Sequence, residues 1–275
     1  MLFRSSQPKF DQGEVVLSLD SDFLHECANA VANARGWAAA RTLVKREGGT
    51  LVAKDAASAQ MSRVYQVEGL LTLTGMNADH RIAMKPSQVA PFAAAIADRL
   101  GVDGARQMAQ FAPKLGESEQ AVVDALVEDL KKAGRKALVV AGNRQPAATH
   151  AIAAAINAKL GAYGSTVDTV AVDAETCVAG IQKVAARLGA GDVDTLVVMG
   201  ANPVLDAPAD LGFAAAMAKA KHVVHLSYRT DETSRAKGCT WHVPMTHFLE
   251  GWGDTAASDG TVAIAQPIKI GRAHV

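Results

Sequence analysis

The stretch TLVVMGANPVLDAPADLGFAAAMAKAKHVVHLSYRTDET, Thr195 to Thr233, decides how this chain is read. An apolar run, TLVVMGA, turns at Asn202 and Pro203. A helical pattern over roughly 209–220 follows, then a second apolar run, HVVHL (His222 to Leu226), and a polar loop with Asp231, Glu232 and Thr233. Two short apolar runs flanking a helix predict a βαβ unit. Open parallel sheets bind ligands in loops at the strand carboxyl ends, which makes the Asn202 and Asp231–Thr233 loops candidates.

The pattern repeats outward from this unit. ALVVA (Ala137 to Ala141) reads as a buried strand, GNRQP (Gly142 to Pro146) as a turn, and 147–160 as a helix stopped by Gly161. TVDTVAV (Thr166 to Val172) reads as a strand, followed by a helix over 174–188, and Thr240–Pro244 as a last short strand. Strand and helix alternate, so residues 134–245 are expected to form one mostly parallel sheet with its polar loops on one edge. In the amino-terminal half, EVVLSL (Glu14 to Leu19) and RVYQVE (Arg63 to Glu68) read as strands around a helix over 28–40. Residues 41–60 and 69–80 read as loops, 82–84 as a strand, and Pro86–Leu100 as a helix capped by Ser87. A further helix is expected over 118–133. The expected fold class is α/β: two domains, 1–115 and 116–269, with doubly wound, mostly parallel Rossmann-like sheets. The last six residues, IGRAHV (270–275), lack periodicity and equal the translation of ATC GGA AGA GCA CAC GTC, an adapter-like read, so they are expected to be a non-native tail.

Composition narrows the function. The chain has 275 residues, 49% apolar and only 5% aromatic, with zero formal net charge. No basic stripe exists, so nucleic acid is not an expected partner. No apolar run approaches the roughly 20 residues that span a bilayer. Cys27, Cys177 and Cys239 are isolated, whereas an iron–sulfur cluster takes four ligands, so no cluster is expected here and the thiols read as small buried residues.

Other constellations keep two readings. The helix start after Gly142, Asn143 and Arg144 could hold an anion, or be a plain strand-to-helix turn. The Gly200–Pro203 turn could contact a nucleotide-like ligand or be turn chemistry alone. Asp20 and Asp22 could be paired acid–base carboxylates, but N-capping of the next helix is the stronger reading. His242, His247 and Glu250 lack metal spacing, and His242 reads as a hydrogen-bonded strand histidine.

Two groups of strings carry a family resemblance. LSLDSDFL (17–24), MSRVYQVE (61–68), TLTG (72–75), ADHR (78–81) and the pair Pro86 and Ser87 form the first. GNRQP (142–146), GANP (200–203), DETS (231–234), WHVP (241–244), HFLEGWGD (247–254), DGTV (259–262) and the pair Gln266 and Pro267 form the second. Their order resembles the molybdopterin oxidoreductase superfamily, and is most like the B subunit of alternative complex III, which is molybdopterin-enzyme-like in fold without molybdenum. The resemblance implies pterin-nucleotide loops at Asp20, Glu68, Thr74, Asp79, Gly142, Asn143, Arg144, Asn202, Asp231 and Thr233, vestigial in such a relative, with no catalytic or metal-ligating residue here. Trp252, or a side chain between His247 and Glu250, would fill the space of a pterin. It further implies iron–sulfur clusters in a carboxyl-terminal part beyond this segment, partner subunits of a membrane-bound respiratory complex that oxidises quinol, and a periplasmic location through an upstream signal. The alternative is a fragment of a catalytic polysulfide- or thiosulfate-type reductase with molybdopterin guanine dinucleotide.

Overall fold

The computed structural model describes residues 3–27, 29–55, 61–172, 177–257 and 260–268. The adapter-like tail, Ala28, the start of the 174–188 helix and Asp259 lie outside them. The chain is mixed α/β with parallel sheets and divides into two compact units, essentially Arg4–Val170 and Ala171–Val275.

The first unit is built on a four-stranded sheet in the order His80–Ala83, Arg63–Glu68, Val15–Leu19, Ala137–Ala141. Every neighbouring pair is parallel. Val15–Leu19 is buried along its whole length, as a central parallel strand covered on both faces must be. Val15, Leu17 and Leu19 pack with Val89, Phe92, Leu126 and Ile156 from the helices Pro86–Arg99, Glu117–Ala133 and Ala147–Leu160. Val16 points the other way, into a cluster with Phe10, Phe23, Leu138 and the half-buried Trp37 of helix Ala30–Ala40. The chain lays down Val15–Leu19 first, adds Arg63–Glu68 and His80–Ala83 on one side, then returns to place Ala137–Ala141 on the other. The strand order therefore reverses between Leu19 and Ala141.

This sheet corrects one expectation. Ala137–Ala141 does not join the later strands; it pairs with Val15–Leu19, 122 positions earlier in register (Val15 opposite Ala137). Apolar periodicity marks a buried strand but carries no information about which strand lies beside it. The break expected near 115 also falls inside the first unit, because Glu117–Ala133 and Ala147–Leu160 cover its sheet. Two segments read as loops hold structure. Leu73–Asn77 is a short helix. Val44–Glu47 and Thr50–Ala53 form an antiparallel hairpin about Gly48 and Gly49, both at positive φ. Such a two-residue turn matches strand twist and favours glycine. Helix Pro86–Arg99 begins at the residue read, but Lys85 rather than Ser87 stands at its cap position.

In the second unit, Trp241–Pro244, His222–Ser227 and Thr195–Met199 form a three-stranded parallel sheet in that order. Val223 packs against helices Cys177–Ala190 and Phe213–Met217 through Leu188, Phe213 and Met217. The expected helix over 209–220 is broken at Gly212 into a 3-10 turn, Ala209–Leu211, and Phe213–Met217. Gly253–Ala256 and Val262–Ala265 form an exposed antiparallel hairpin. Among the described residues no helix is long and apolar enough to cross a membrane.

Candidate functional site

Within the first unit, the carboxyl ends of the strands gather polar side chains at the place where strand order reverses. Asp20 follows Leu19 in a left-handed conformation, φ 55°, uncommon for a residue with a side chain. Its Oδ2 accepts from Gln145 Nε2 at 2.9 Å, which ties it to the loop after Ala141. Gly142 is buried against this turn. Its N–H donates to the Leu19 carbonyl at 2.9 Å, and a Cβ there would lie 1.8 Å from the Asp20 carbonyl oxygen. Only glycine lets the two loops approach so closely. Asn143 and Arg144 are exposed beyond it, and Arg144 reaches Glu26 at 3.5 Å.

Asp22 Oδ1 accepts from the Thr74 main-chain N–H at 3.0 Å and from its hydroxyl at 2.7 Å. The aspartate therefore satisfies a donor in the first turn of helix Leu73–Asn77, not of the helix after it in sequence as expected. Thr74 Oγ1 in turn accepts from Leu24 N–H, closing the pair.

Glu68 is fully buried. It accepts from Arg81 Nε at 2.6 Å, Thr72 Oγ1 at 2.6 Å and Gln66 Nε2 at 3.0 Å. Burial pushes its carboxyl up, but the bonds from Arg81, Thr72 and Gln66 outweigh it and hold the group below its ordinary value. Gly75 is packed onto this carboxylate, where a Cβ would lie 1.9 Å from Oε1. Asp79 is placed elsewhere. It precedes His80–Ala83 at the amino edge of the sheet, where it accepts from Val64 N–H at 2.8 Å and pairs with both terminal nitrogens of Arg41.

The second unit repeats the arrangement. Asn202 and Asp231–Thr233 follow the parallel strands Thr195–Met199 and His222–Ser227. Asn202 Oδ1 accepts from the Thr233 N–H and hydroxyl, at 3.2 and 2.7 Å, while its Nδ2 donates to Glu232 at 2.6 Å. The bond from Asn202 lowers the Glu232 carboxyl below its ordinary value. Asp231 caps helix Glu232–Arg235 by accepting from Ser234 N–H. His225 is fully buried. Its Nε2 donates to the Ala201 carbonyl at 3.0 Å, and Nδ1 lies 3.5 Å from Asp231 Oδ1 without a hydrogen bond. In the sequence His225 looks like any apolar-flanked strand histidine, so its buried bond to Ala201 was not legible. His242 is hydrogen-bonded to Ser227 Oγ at 3.1 Å from its own strand.

Trp252 and Phe248 are 70% and 77% exposed, so neither fills a crevice, contrary to expectation. Cys27 and Cys239 are free and half-buried rather than buried; the side chain of Cys177 lies outside the described residues. Among the described residues no group of three or more His, Cys, Asp or Glu is placed to hold a metal ion. No family model matches the chain, and no curated protein matches it.

Proposed function

We propose that this chain is a scaffold part of a molybdopterin-oxidoreductase-like subunit in a quinol-oxidising, membrane-bound respiratory complex, and that it binds no pterin. In this reading both units are Rossmann-like, and the first is a doubly wound nucleotide fold. Support for the fold comes from its strand order, which reverses beside Asp20 and Gly142, where such sheets hold their ligands.

One observation carries the loss of the cofactor. In a nucleotide-binding crevice the polar groups at strand ends are left for the ligand. Here they are spent on one another: Asp20 on Gln145, Asp22 on Thr74, Glu68 on Arg81 and Thr72, Asn202 on Thr233 and Glu232. A ligand would have to break these bonds and, at Asp20, Asp22, Glu68 and Thr233, leave buried groups unpaired, at about 1–3 kcal/mol each. Electron transfer in the intact protein then belongs to iron–sulfur clusters held elsewhere in the subunit, at the periplasmic face, with quinol chemistry in partner subunits.

Calorimetric titration of the chain with guanosine diphosphate tests this. No saturable heat is expected. Tight saturable binding would favour the alternative, a catalytic polysulfide- or thiosulfate-type reductase with molybdopterin guanine dinucleotide.

A further inference from the structure

The two hairpins are built alike and charged oppositely. Each is a separate two-stranded ladder; among the described residues no other strand pairs with either. An isolated two-stranded hairpin is at best marginally stable in water, and its unpaired edges invite another chain. Both hairpins nevertheless expose large apolar side chains.

Register fixes what each face carries. In the first hairpin Arg46 stands opposite Leu51 and Val44 opposite Ala53, so these four side chains share one face. In the second, Asp254 stands opposite Ile264 and Ala256 opposite Val262, and these four share a face. Each face thus holds two large apolar side chains, one alanine and one charge. Leu51 is 63% exposed and Ile264 75%. Among the described residues Arg46 reaches only the Gly49 carbonyl and Asp254 has no ion-pair partner.

The surroundings extend the contrast. In the first hairpin Lys45 pairs with Glu47 at 2.7 Å on the other face, which leaves Arg46 as the charge of the apolar face. In the second hairpin Asp254 is the one charged residue of the two strands. Two copies of the basic hairpin repel each other, as do two copies of the acidic one. A basic face meeting an acidic face gains both apolar burial and opposite charge.

We propose that the basic hairpin of one copy of this chain docks on the acidic hairpin of a second copy, with Arg46 against Asp254 and Val44 and Leu51 against Val262 and Ile264. The contact joins two different surfaces, so it builds rings or open chains of copies unless it is made reciprocally in a dimer.

Sedimentation velocity on the full chain, from micromolar to hundreds of micromolar, tests the proposal. Reversible self-association is expected, weakened on going from about 0.1 M to about 1 M salt, as the screening length falls from about 10 to about 3 Å. Arg46→Glu and Asp254→Arg should each weaken association by about tenfold, and the double variant should restore it. Ile264→Asp should weaken it without a charge partner to restore it. All these positions are exposed, and circular dichroism confirms that each variant is folded. A chain that stays monomeric throughout, or association indifferent to the single reversals or not rescued by the double one, would overturn the proposal. So would rescue seen in thermal stability alone with no change in mass, since the two hairpins would then meet within one chain.

Discussion

Asp22 and Thr74, 52 positions apart, are joined by two hydrogen bonds to a single carboxylate oxygen, at 3.0 and 2.7 Å. Both residues are buried. The pair ties the end of the first strand to the loop that follows the second, and so fixes the rim of the sheet at its point of reversal. Asp22→Ala leaves two buried donors without an acceptor and should cost about 2–4 kcal/mol in chemical denaturation. A loss below about 1 kcal/mol would mean that water replaces the carboxylate.

Gly142 and Gly180 make a matched test of close approach. Gly142→Ala would drive a methyl into the Asp20 carbonyl and should destabilise the first unit by several kcal/mol or stop it folding. Gly180 lies within helix Cys177–Ala190 with open space around it, so Gly180→Ala should stabilise by about 0.5–1 kcal/mol. Equal effects at the two positions would contradict the packing described.

Glu68 sets an acid limit. Its folded pKa is below the ordinary 4.5, so its bonds contribute stability that is fully present above that value and lost as pH falls through the lower folded one. Glu68→Gln should cost about 2 kcal/mol near neutrality, and the gap between the variant and the natural chain should narrow below pH 4.5. Urea unfolding across pH 3–7 (roughly the range that brackets carboxylate titration) checks the sign. A gap that widens in acid would reverse the assignment.

Trp37 Nε1 is buried, and among the described residues it has no hydrogen-bond partner. Replacing the indole by an apolar ring removes an unmet donor, so Trp37→Phe should be neutral or slightly stabilising despite the smaller side chain. A loss above about 2 kcal/mol would show that the indole's packing outweighs its orphan N–H.

The strands were legible because each is a short apolar run bounded by turn residues. Val15–Leu19, Arg63–Glu68, Ala137–Ala141 and His222–Ser227 fall where the sequence places them. Pairing was not legible, since Ala137–Ala141 reads the same beside any buried strand. The hairpin at Val44–Ala53 escaped because Lys45, Arg46 and Glu47 break the alternation that marks a half-buried strand, while solvent on both faces imposes none. Among the candidate residues of the two units, Asp20, Glu68, Thr74, Asn202 and Thr233 stand at strand ends, where loop chemistry is visible. Their partners were not, because Gln145 and Arg81 are reached only through the sheet order. Asp79 was grouped with Glu68 through the family resemblance, although the crossover through Leu73–Asn77 carries it to the opposite edge.

The central claim is that the strand-end loops are satisfied by the protein itself and that the subunit carries no pterin. Metal and pterin analysis of the full-length protein, purified with any partners it retains, tests it most directly. The account predicts iron without stoichiometric molybdenum and no pterin released on acid denaturation. One molybdenum and two pterins per subunit would contradict it.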